Sequence, residues 1–273
     1  MPETLYSARS QLSEPGRFLQ DAGRALARSL PIAWPLFVGN VRVRYRRSLL
    51  GYLWLLLPAV ATTLVCVELQ SRRLVAVGAS ELPYALHVAS GIVLWQLFVE
   101  ALNAPLTHLK ASRQIITRSR VPHEALILAG AMEVALNAAA RLIVLVPVLW
   151  AFGVAPQGAM LAVPMGVLAL MLLGLAIGLL LAPWGLLFED VARALMLFVG
   201  LWFFLTPIIY AGPVEGALRW NPVTPLLETT RSWIAGGGAA PGFWGVAAGA
   251  LVGLGAAWLL YRLARPHVVA RLG

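Results

Sequence analysis

Residues 42–60 read RVRYRRSLLGYLWLLLPAV and join four arginines within six positions to a strongly apolar run. No charged residue occurs between residues 49 and 67. As a helix, that run would cover about 28 Å, which is enough to cross the hydrocarbon core of a bilayer. The pattern predicts that the chain enters a membrane here, and the positive-inside rule places the preceding arginines on the cytoplasmic side.

The overall composition also indicates a membrane protein. Of the 273 residues, 60% are hydrophobic and only 12% are charged, and the mean hydropathy is +0.79. That is too apolar for a soluble domain. The net charge of +9 comes from arginines beside apolar runs, where anionic lipid headgroups are closer partners than nucleic acid. We therefore expect a polytopic membrane protein with membrane lipids, and no nucleic acid, as its partners.

Cysteine and histidine give no sign of a disulfide or a metal site. Cys66 is the only cysteine, and the four histidines have no carboxylate or thiol neighbours at ligand spacing. We expect no metal and no cofactor on this chain. Because the first apolar run starts after nearly fifty mostly polar residues, we also expect no cleavable signal peptide.

Six apolar runs are long enough to cross a membrane. They cover residues 49–67, 84–109, 125–152, 160–187, 194–211 and 243–263. This layout puts sixteen Lys and Arg residues on the predicted cytoplasmic side and four on the outside, which predicts that both termini are cytoplasmic. The fold is thus expected to be an all-α polytopic membrane protein. Its predicted parts are a cytoplasmic N-terminal segment at 1–48, one six-helix transmembrane domain at 49–265 and a cytoplasmic tail at 266–273.

Residues 15–30 predict an amphipathic helix before the first span. The apolar residues at helical spacing are Phe18, Leu19, Ala22, Leu26 and Leu30, and arginines occupy the opposite face. Ser13 is a plausible N-cap and Pro15 lies just inside the start. A basic polar face next to a membrane span is typical of a helix lying in the cytoplasmic interface. The alternative is an ordinary amphipathic surface helix.

Residues 212–242 contain two short apolar stretches, at 218–220 and 226–234, that are too short to span. Such segments can enter the outer leaflet as re-entrant helices when protein or a water-filled cavity covers their backbone. The alternative is an external loop in which Trp220 and Trp233 are aromatic residues of the membrane interface.

Polar residues occur inside two of the predicted spans. Glu133, Asn137 and Arg141 follow one another at four-residue steps on the third span, so they share one helical face and could satisfy one another away from lipid. Glu100 lies on the second span. A structural polar network is the favoured interpretation, and an acid/base set is the alternative.

Glycines mark two predicted packing faces. Gly174 and Gly178 on the fourth span, and Gly245, Gly249 and Gly253 on the sixth, recur every four residues. Small residues at this spacing let helices approach closely, and we expect this packing within one subunit.

The chain lacks the residues of a nucleotide-hydrolysing site. A phosphate-binding loop needs Gly-Lys followed by Ser or Thr, whereas the single lysine of this chain, Lys110, follows Leu109. Any ATP hydrolysis would therefore occur on another polypeptide, and we expect no enzyme activity from this chain alone.

Four motifs occur along the chain. They are Arg44-Tyr45-Arg46-Arg47-Ser48-Leu49-Leu50-Gly51-Tyr52-Leu53-Trp54 with Pro58, Val121-Pro122-His123-Glu124, Leu205-Thr206-Pro207-Ile208-Ile209-Tyr210 and Asn221-Pro222-Val223-Thr224-Pro225. Together they resemble the motifs of ABC transporter permeases that export polysaccharides such as O-antigen, capsule or teichoic acid. They occur in the family's order, and the resemblance covers residues 15–265. One departure is Glu189-Asp190, where the family usually has Arg-Asp.

The resemblance implies a homodimer in the bacterial cytoplasmic membrane, docked on two copies of an ABC ATPase subunit that binds ATP and Mg. The cargo would be a glycan linked to an undecaprenyl-type lipid. A coupling segment that contacts the ATPase is implied between spans two and three. Its residues are Arg113, Gln114, Arg118, Arg120, Val121, Pro122, His123 and Glu124.

Two further sets of residues are candidates for contacts with the cargo. Aromatic rings can cover the apolar faces of sugars, and the candidate channel-lining residues are Tyr52, Trp54, Trp202, Phe203, Phe204 and Tyr210. Arginines bind phosphate oxygens, and the candidates for the lipid pyrophosphate or headgroups are Arg42, Arg44, Arg46 and Arg47. The alternatives are aromatics facing lipid or the interface and arginines that only set topology or anchor anionic lipid.

Two other functions stay open from the sequence. One is a permease of the same architecture that exports drugs or lipids. The other is a membrane-embedded enzyme that acts on lipid-linked sugars with Glu100 or Glu133 as the base.

Overall fold

The computed structural model describes residues 15–46, 53–72, 82–113, 121–210 and 220–272, and all regular structure in these ranges is helical. The α-helices are α1 (Pro15–Arg46), α2 (Leu53–Ser71), α3 (Tyr84–Ala111), α4 (His123–Ala151), α5 (Val163–Leu187), α6 (Glu189–Leu205), α7 (Val223–Ala235) and α8 (Phe243–Leu272). A short 3-10 helix, Gly158–Ala162, leads into α5.

Four helical segments within the described ranges are long and apolar enough to cross a membrane. They are Tyr84–Ala111, His123–Ala151, Gly158–Leu187 and Phe243–Arg271. The protein is therefore a helical membrane protein, as its composition predicts. The first and fifth predicted spans correspond to α2 and α6, whose 19 and 17 residues are near the lower limit for crossing a bilayer.

Helices α3 and α5 form the centre of the bundle, with α4 and α2 packed on α3 and with α8 packed on α5. The glycines of α5 explain the close approach. A methyl group on Gly174 would lie 2.7 Å from the carbonyl oxygen of Phe98, and one on Gly178 would overlap the carbonyl oxygen of Leu102. The prediction that these two glycines pack within the subunit is confirmed.

The corresponding prediction for the sixth span is wrong for two of its glycines. Gly245 and Gly249 face open space, and a methyl group on Gly253 would only touch Ala176 at 3.9 Å. The buried face of α8 instead consists of Phe243, Ala250, Ala257, Tyr261 and Val268. These residues recur at steps of seven and four, so a different helical face turns toward the bundle.

Helix α6 ends earlier than the fifth predicted span. That span was expected to reach residue 211, but the helix stops at Leu205 and Thr206 is extended, with φ −106° and ψ 135°. Pro207 is the physical reason, since the proline ring disfavours helical geometry in the residue before it. Residues 211–219, which hold most of the first predicted re-entrant stretch, lie outside the described residues.

Helix α1 is longer than expected, because it continues beyond residue 30 through Pro31 and Pro35 to Arg46. It presents three faces. The face packed on α4 includes Ala22, Ser29 and Ala33. The adjoining exposed apolar face includes Leu19, Leu30 and Trp34. The exposed basic face consists of Arg17, Arg24 and Arg28.

Candidate functional site

An open cleft of about 650 Å³ lies among α2, α3, α4 and α6. Its walls combine aromatic, aliphatic and polar side chains. The lining residues are Trp54, Pro58, Trp95, Gln96, Val99, Glu100, Asn103, Arg141, Val199, Gly200 and Phe203. A volume of this size falls within the range of about 300–1,000 Å³ that is usual for ligand sites.

Aromatic rings from three helices form one part of the cleft wall. Trp95 of α3 is buried and meets Phe203 of α6 edge to face, with ring centroids 5.9 Å apart. Trp54 of α2 has an exposed fraction of 58%, so its ring is accessible from the cleft. Since edge-to-face packing fixes ring orientation, Trp95 and Phe203 form a rigid apolar surface.

Glu100 and Arg141 form the charged part of the wall. Nη2 of Arg141 lies 2.8 Å from Oε2 of Glu100, and the side-chain amide of Asn137 donates a hydrogen bond to Oε1 of Glu100. Arg141 is buried, with an exposed fraction of 6%. Its Nε and Nη1 atoms have no hydrogen-bond partner among the described residues. Pairing with Glu100 explains how this cation is accommodated inside a helical membrane bundle.

Glu133 belongs to a separate cluster that ties α1 to the bundle. It is buried and forms an ion pair with Arg44 of α1, while its Oε2 lies 3.4 Å from Nε2 of His108 on α3. Nδ2 of Asn40, also on α1, lies 3.4 Å from Nδ1 of the same histidine. Three helices therefore meet at one buried carboxylate.

Glu133 and Arg141 take their ionic partners from other helices rather than from each other. Asn137 and Arg141 interact with Glu100, whereas Glu133 interacts with α1 and α3. The three do share a face of α4, as their spacing predicts. Their partners come from neighbouring helices, and the spacing along one helix contains no information about those.

The coupling segment predicted from the resemblance is described only in part. Arg113 is exposed just after α3, Val121 and Pro122 are half-buried, and Gln114, Arg118 and Arg120 lie outside the described residues.

His123 and Glu124 are buried and contact α8. Nδ1 of His123 lies 2.8 Å from the hydroxyl of Tyr261. The two oxygens of Glu124 each lie 3.6 Å from an arginine, Arg262 and Arg265. These two members of the predicted segment therefore bind within the chain, and no sequence pattern pointed to their partners.

The four arginines predicted to meet phosphate are in different environments. Arg42 and Arg46 are exposed on the last turns of α1, and Arg44 is half-exposed with its guanidinium on Glu133. Arg47 lies outside the described residues.

The structure brings two of the predicted channel aromatics, Trp54 and Phe203, into the cleft. Trp202 packs against Phe98 at 5.3 Å and donates its indole N–H to Asn221 at 3.0 Å. Phe204 has an exposed fraction of 71% and does not line the cleft. The backbone carbonyl of Tyr210 lies 3.4 Å from Nε2 of His87, and Tyr52 lies outside the described residues.

Four cleft residues of α3 were not among the predicted site residues, namely Trp95, Gln96, Val99 and Asn103. A signal was present for two of them. Gln96, Glu100 and Asn103 follow at steps of four and three residues, which is one polar stripe on an otherwise apolar helix.

The last two sequence motifs contact each other at the C-terminal end of α6. Oδ1 of Asn221 accepts hydrogen bonds from Trp202 Nε1 and from the backbone N–H of Val223, both at 3.0 Å. Its Nδ2 donates to Oγ1 of Thr206 at 2.9 Å and to the carbonyl of Leu205 at 3.3 Å. One side chain thus caps the end of α6 and the start of α7.

Arg231 of α7 binds the backbone that follows α6. Its Nη1 and Nη2 donate to the carbonyls of Pro207 at 3.0 Å and Ile208 at 3.3 Å. Burial lowers the pKa of Arg231 to about 10, partly opposed by Glu228, so the guanidinium stays charged at neutral pH. Burial also raises the pKa of Glu228, although Arg231 opposes that shift.

No protein-family model matches this chain. It is similar to two proteins of Klebsiella pneumoniae that are each named O-antigen export system permease protein RfbA, with 24% identity over 205 residues. These alignments cover 72% of this chain and 78% of each relative. A protein of the same name from Myxococcus xanthus is 26% identical over 171 residues, which is 63% of this chain and 65% of the relative.

Proposed function

We propose that this chain, a relative of the permeases of O-antigen export systems, is the transmembrane subunit of an ABC transporter that exports lipid-linked polysaccharide. The similarity to the named permeases, over 72% of the chain, carries the proposal. It also confirms the resemblance that the motifs predict. Transport would be driven by ATP and Mg on two copies of a separate ATPase subunit.

The proposed arrangement in the bacterial cytoplasmic membrane has six spans, with both termini in the cytoplasm. Helices α2 and α6 would be the two short spans, and the excess of Lys and Arg on the inner side sets the orientation.

Helix α1 would lie in the inner interface. Its three faces are suited to the bundle, to lipid and to water respectively, and a helix in the interface plane meets these three environments at once.

Helix α7 is proposed as a re-entrant helix on the outer side. It has 13 residues, which is too few to span, and most of its side chains are buried against the bundle. Packing within protein is the condition under which short helices are tolerated at membrane depth. The burial of Trp233 against Phe243, at 5.0 Å, supports packing within the protein over an interfacial role for this tryptophan.

The cleft is proposed as one wall of the path taken by the glycan. It provides hydrogen-bonding groups and aromatic surface together inside a bundle of apolar helices. A second copy of the chain, as the resemblance implies, would complete the path. The cargo would be a glycan on an undecaprenyl-type lipid, whose pyrophosphate the exposed Arg42 and Arg46 could bind at the inner leaflet.

Deletion of the gene tests the proposed function. We expect surface polysaccharide to disappear and lipid-linked polymer to accumulate inside the cell, with both effects reversed by the wild-type gene. Loss of drug resistance or of lipid export with normal surface polymer would favour the other transporter class. Turnover of a lipid-linked sugar by the purified chain alone would establish the enzyme alternative.

Reversal of charge at Arg118 and Arg120 tests the coupling segment. If this basic segment contacts the ATPase, the double change to Glu should reduce recovery of the ATPase with the tagged permease by about tenfold, since two ion pairs become repulsive. Membrane insertion should be unchanged. Arg72→Glu, at the predicted outer side, is the matched control and should leave recovery unaltered. Equal recovery from the double variant would contradict a coupling role.

A further inference from the structure

Most arginines of α1 lie on one side of the helix. Five of them follow one another at steps of 7, 4, 14 and 4 residues, namely Arg17, Arg24, Arg28, Arg42 and Arg46. At about 100° per residue, these positions fall within roughly 40° of one another around the helix axis. All five side chains are exposed. We call these five residues the arginine stripe.

The side of α1 that packs on the bundle shows that the stripe is continuous. That side consists of Ala22, Ser29, Ala33, Asn40 and Arg44, which recur at steps of 7, 4, 7 and 4 residues. Because one packing side is preserved through the two internal prolines, the opposite side is preserved as well. At 1.5 Å per residue, the stripe therefore extends about 43 Å along the helix.

The arginine stripe has little negative charge to balance it within its own helix. Asp21 is the only acidic residue of α1 and lies 3.6 Å from Arg24, and the two side chains are 64% and 66% exposed. An ion pair this exposed is weak and leaves the guanidinium accessible. The same side of the helix between Arg28 and Arg42 carries no charge at all. The stripe thus presents a long cationic surface.

Exposed apolar side chains lie on both flanks of the arginine stripe. Trp34 is 60% exposed on one flank, and Ile32 and Val43 are 38% and 67% exposed on the other. Such side chains are stable in the acyl region of a bilayer, from which arginine side chains reach the headgroups. This combination favours a lipid surface over an acidic water-soluble protein as the partner.

The spacing of the arginines requires more than one anion. Arg24 and Arg28 are about 6 Å apart along the helix axis, as are Arg42 and Arg46, whereas about 21 Å separates Arg28 from Arg42. A single phosphate or pyrophosphate group at one of these pairs cannot reach the other pair. An anionic leaflet presents phosphates along the whole length of the stripe, and arginine binds phosphate oxygens with two N–H groups at once.

We propose that the arginine stripe binds anionic phospholipid headgroups of the inner leaflet, with the flanking apolar side chains in the acyl region. The inference rests on the interface position proposed for α1 and adds to it a preference for anionic over zwitterionic lipid. It does not depend on which cargo is exported.

The discriminating variant is the double change Arg24→Gln and Arg28→Gln. Arg193→Gln with Arg271→Gln is the matched control, since it also removes two exposed arginines on the predicted cytoplasmic side. The full-length permease in micelles of an uncharged detergent is titrated with dioleoyl phosphatidylglycerol, which is anionic, or with dioleoyl phosphatidylcholine, which is zwitterionic. Native mass spectrometry measures the bound lipid, and thermal unfolding verifies that each variant is folded.

We expect the wild type to bind phosphatidylglycerol about tenfold or more tightly than phosphatidylcholine. The variant of Arg24 and Arg28 should bind phosphatidylglycerol about 25-fold more weakly than the wild type, at about fivefold for each arginine removed from an anionic surface. The matched control should bind as the wild type does. Arg24→Lys with Arg28→Lys should retain binding to within about threefold, because lysine keeps the charge.

Three results would overturn the inference: equal binding of the two lipids by the wild type, unchanged binding of phosphatidylglycerol by the variant of Arg24 and Arg28, or equal weakening in that variant and the control. Loss of ATPase recovery with unchanged lipid binding would assign the stripe to a protein partner instead.

The proposed function is tested separately by complementation of the deletion. Restored surface polymer together with any of these overturning results would reject only the binding of anionic lipid by the arginine stripe. Failure of the wild-type gene to restore the polymer would reject the proposed function.

Discussion

At the scale of single residues, Gly91 makes room for the buried Arg231. A methyl group on Gly91 would overlap Nη2 of Arg231 and lie 2.9 Å from the carbonyl oxygen of Ile208. Gly91→Ala should therefore lower the free energy of unfolding by about 1–3 kcal/mol, as overpacking usually does. Thermal unfolding in detergent measures the effect.

The control for Gly91→Ala is Gly249→Ala, at an exposed helical glycine with open space around it. That variant should be neutral or more stable by roughly 0.5–1 kcal/mol, because alanine favours helix. Equal unfolding temperatures for the two variants would contradict the packing role of Gly91.

Asn221 is the second residue with a disproportionate structural role. Asn221→Ala removes four hydrogen bonds and leaves the indole N–H of Trp202 and the hydroxyl of Thr206 without this partner. We expect a loss of about 2–4 kcal/mol in the free energy of unfolding. In Thr62→Ala, the lost hydroxyl bonds only to the carbonyl of Pro58 on an exposed helix surface. That control should change the free energy of unfolding by less than about 0.5 kcal/mol. A similar change in both variants would contradict the capping role of Asn221.

At the scale of helices, the Arg44–Glu133 ion pair joins α1 to α4. The side chain of Glu133 is 4% exposed, whereas that of Arg44 is 50% exposed. Arg44→Ala would leave a buried carboxylate without its cation and should cost about 3 kcal/mol of stability. Removing both partners with Arg44→Ala and Glu133→Ala should cost less than the sum of the single changes.

Unfolding measurements on the four members of this double-mutant cycle give the coupling energy. Arg193→Ala serves as the control, because Arg193 is 76% exposed and pairs with the exposed Glu189 and Asp190. Its loss should cost no more than about 1 kcal/mol. Strict additivity of the two single changes would show that the pair does not hold α1 in place.

At the scale of the whole molecule, hydropathy and helical spacing predicted the helical membrane fold and most helix positions. Hydropathy averages over a window and so does not see a single proline, which is why the early end of α6 at Leu205 was missed. The glycine stripe of α8 was misassigned for a related reason, since spacing identifies a face but not the side of the bundle that it meets.

The candidate site was predictable only in part. Glu100 and Arg141 stood out as charges inside apolar runs, and aromatic residues beside them were visible in the sequence. That Glu100 pairs with Arg141 while Glu133 pairs with Arg44 depends on how α1, α3 and α4 cross. A single sequence contains no direct signal of such contacts between helices.

Helix α8 runs without interruption from Phe243, against Trp233, to Tyr261, against His123. Those two contacts lie eighteen residues apart, which is about 27 Å along the helix axis. Because an α-helix resists stretching and bending, α8 moves as a rigid body when one of these contacts is displaced. A displacement at the start of α4 would therefore tilt α8 and reach the C-terminal end of α7, where Trp233 lies, without any change in local backbone conformation.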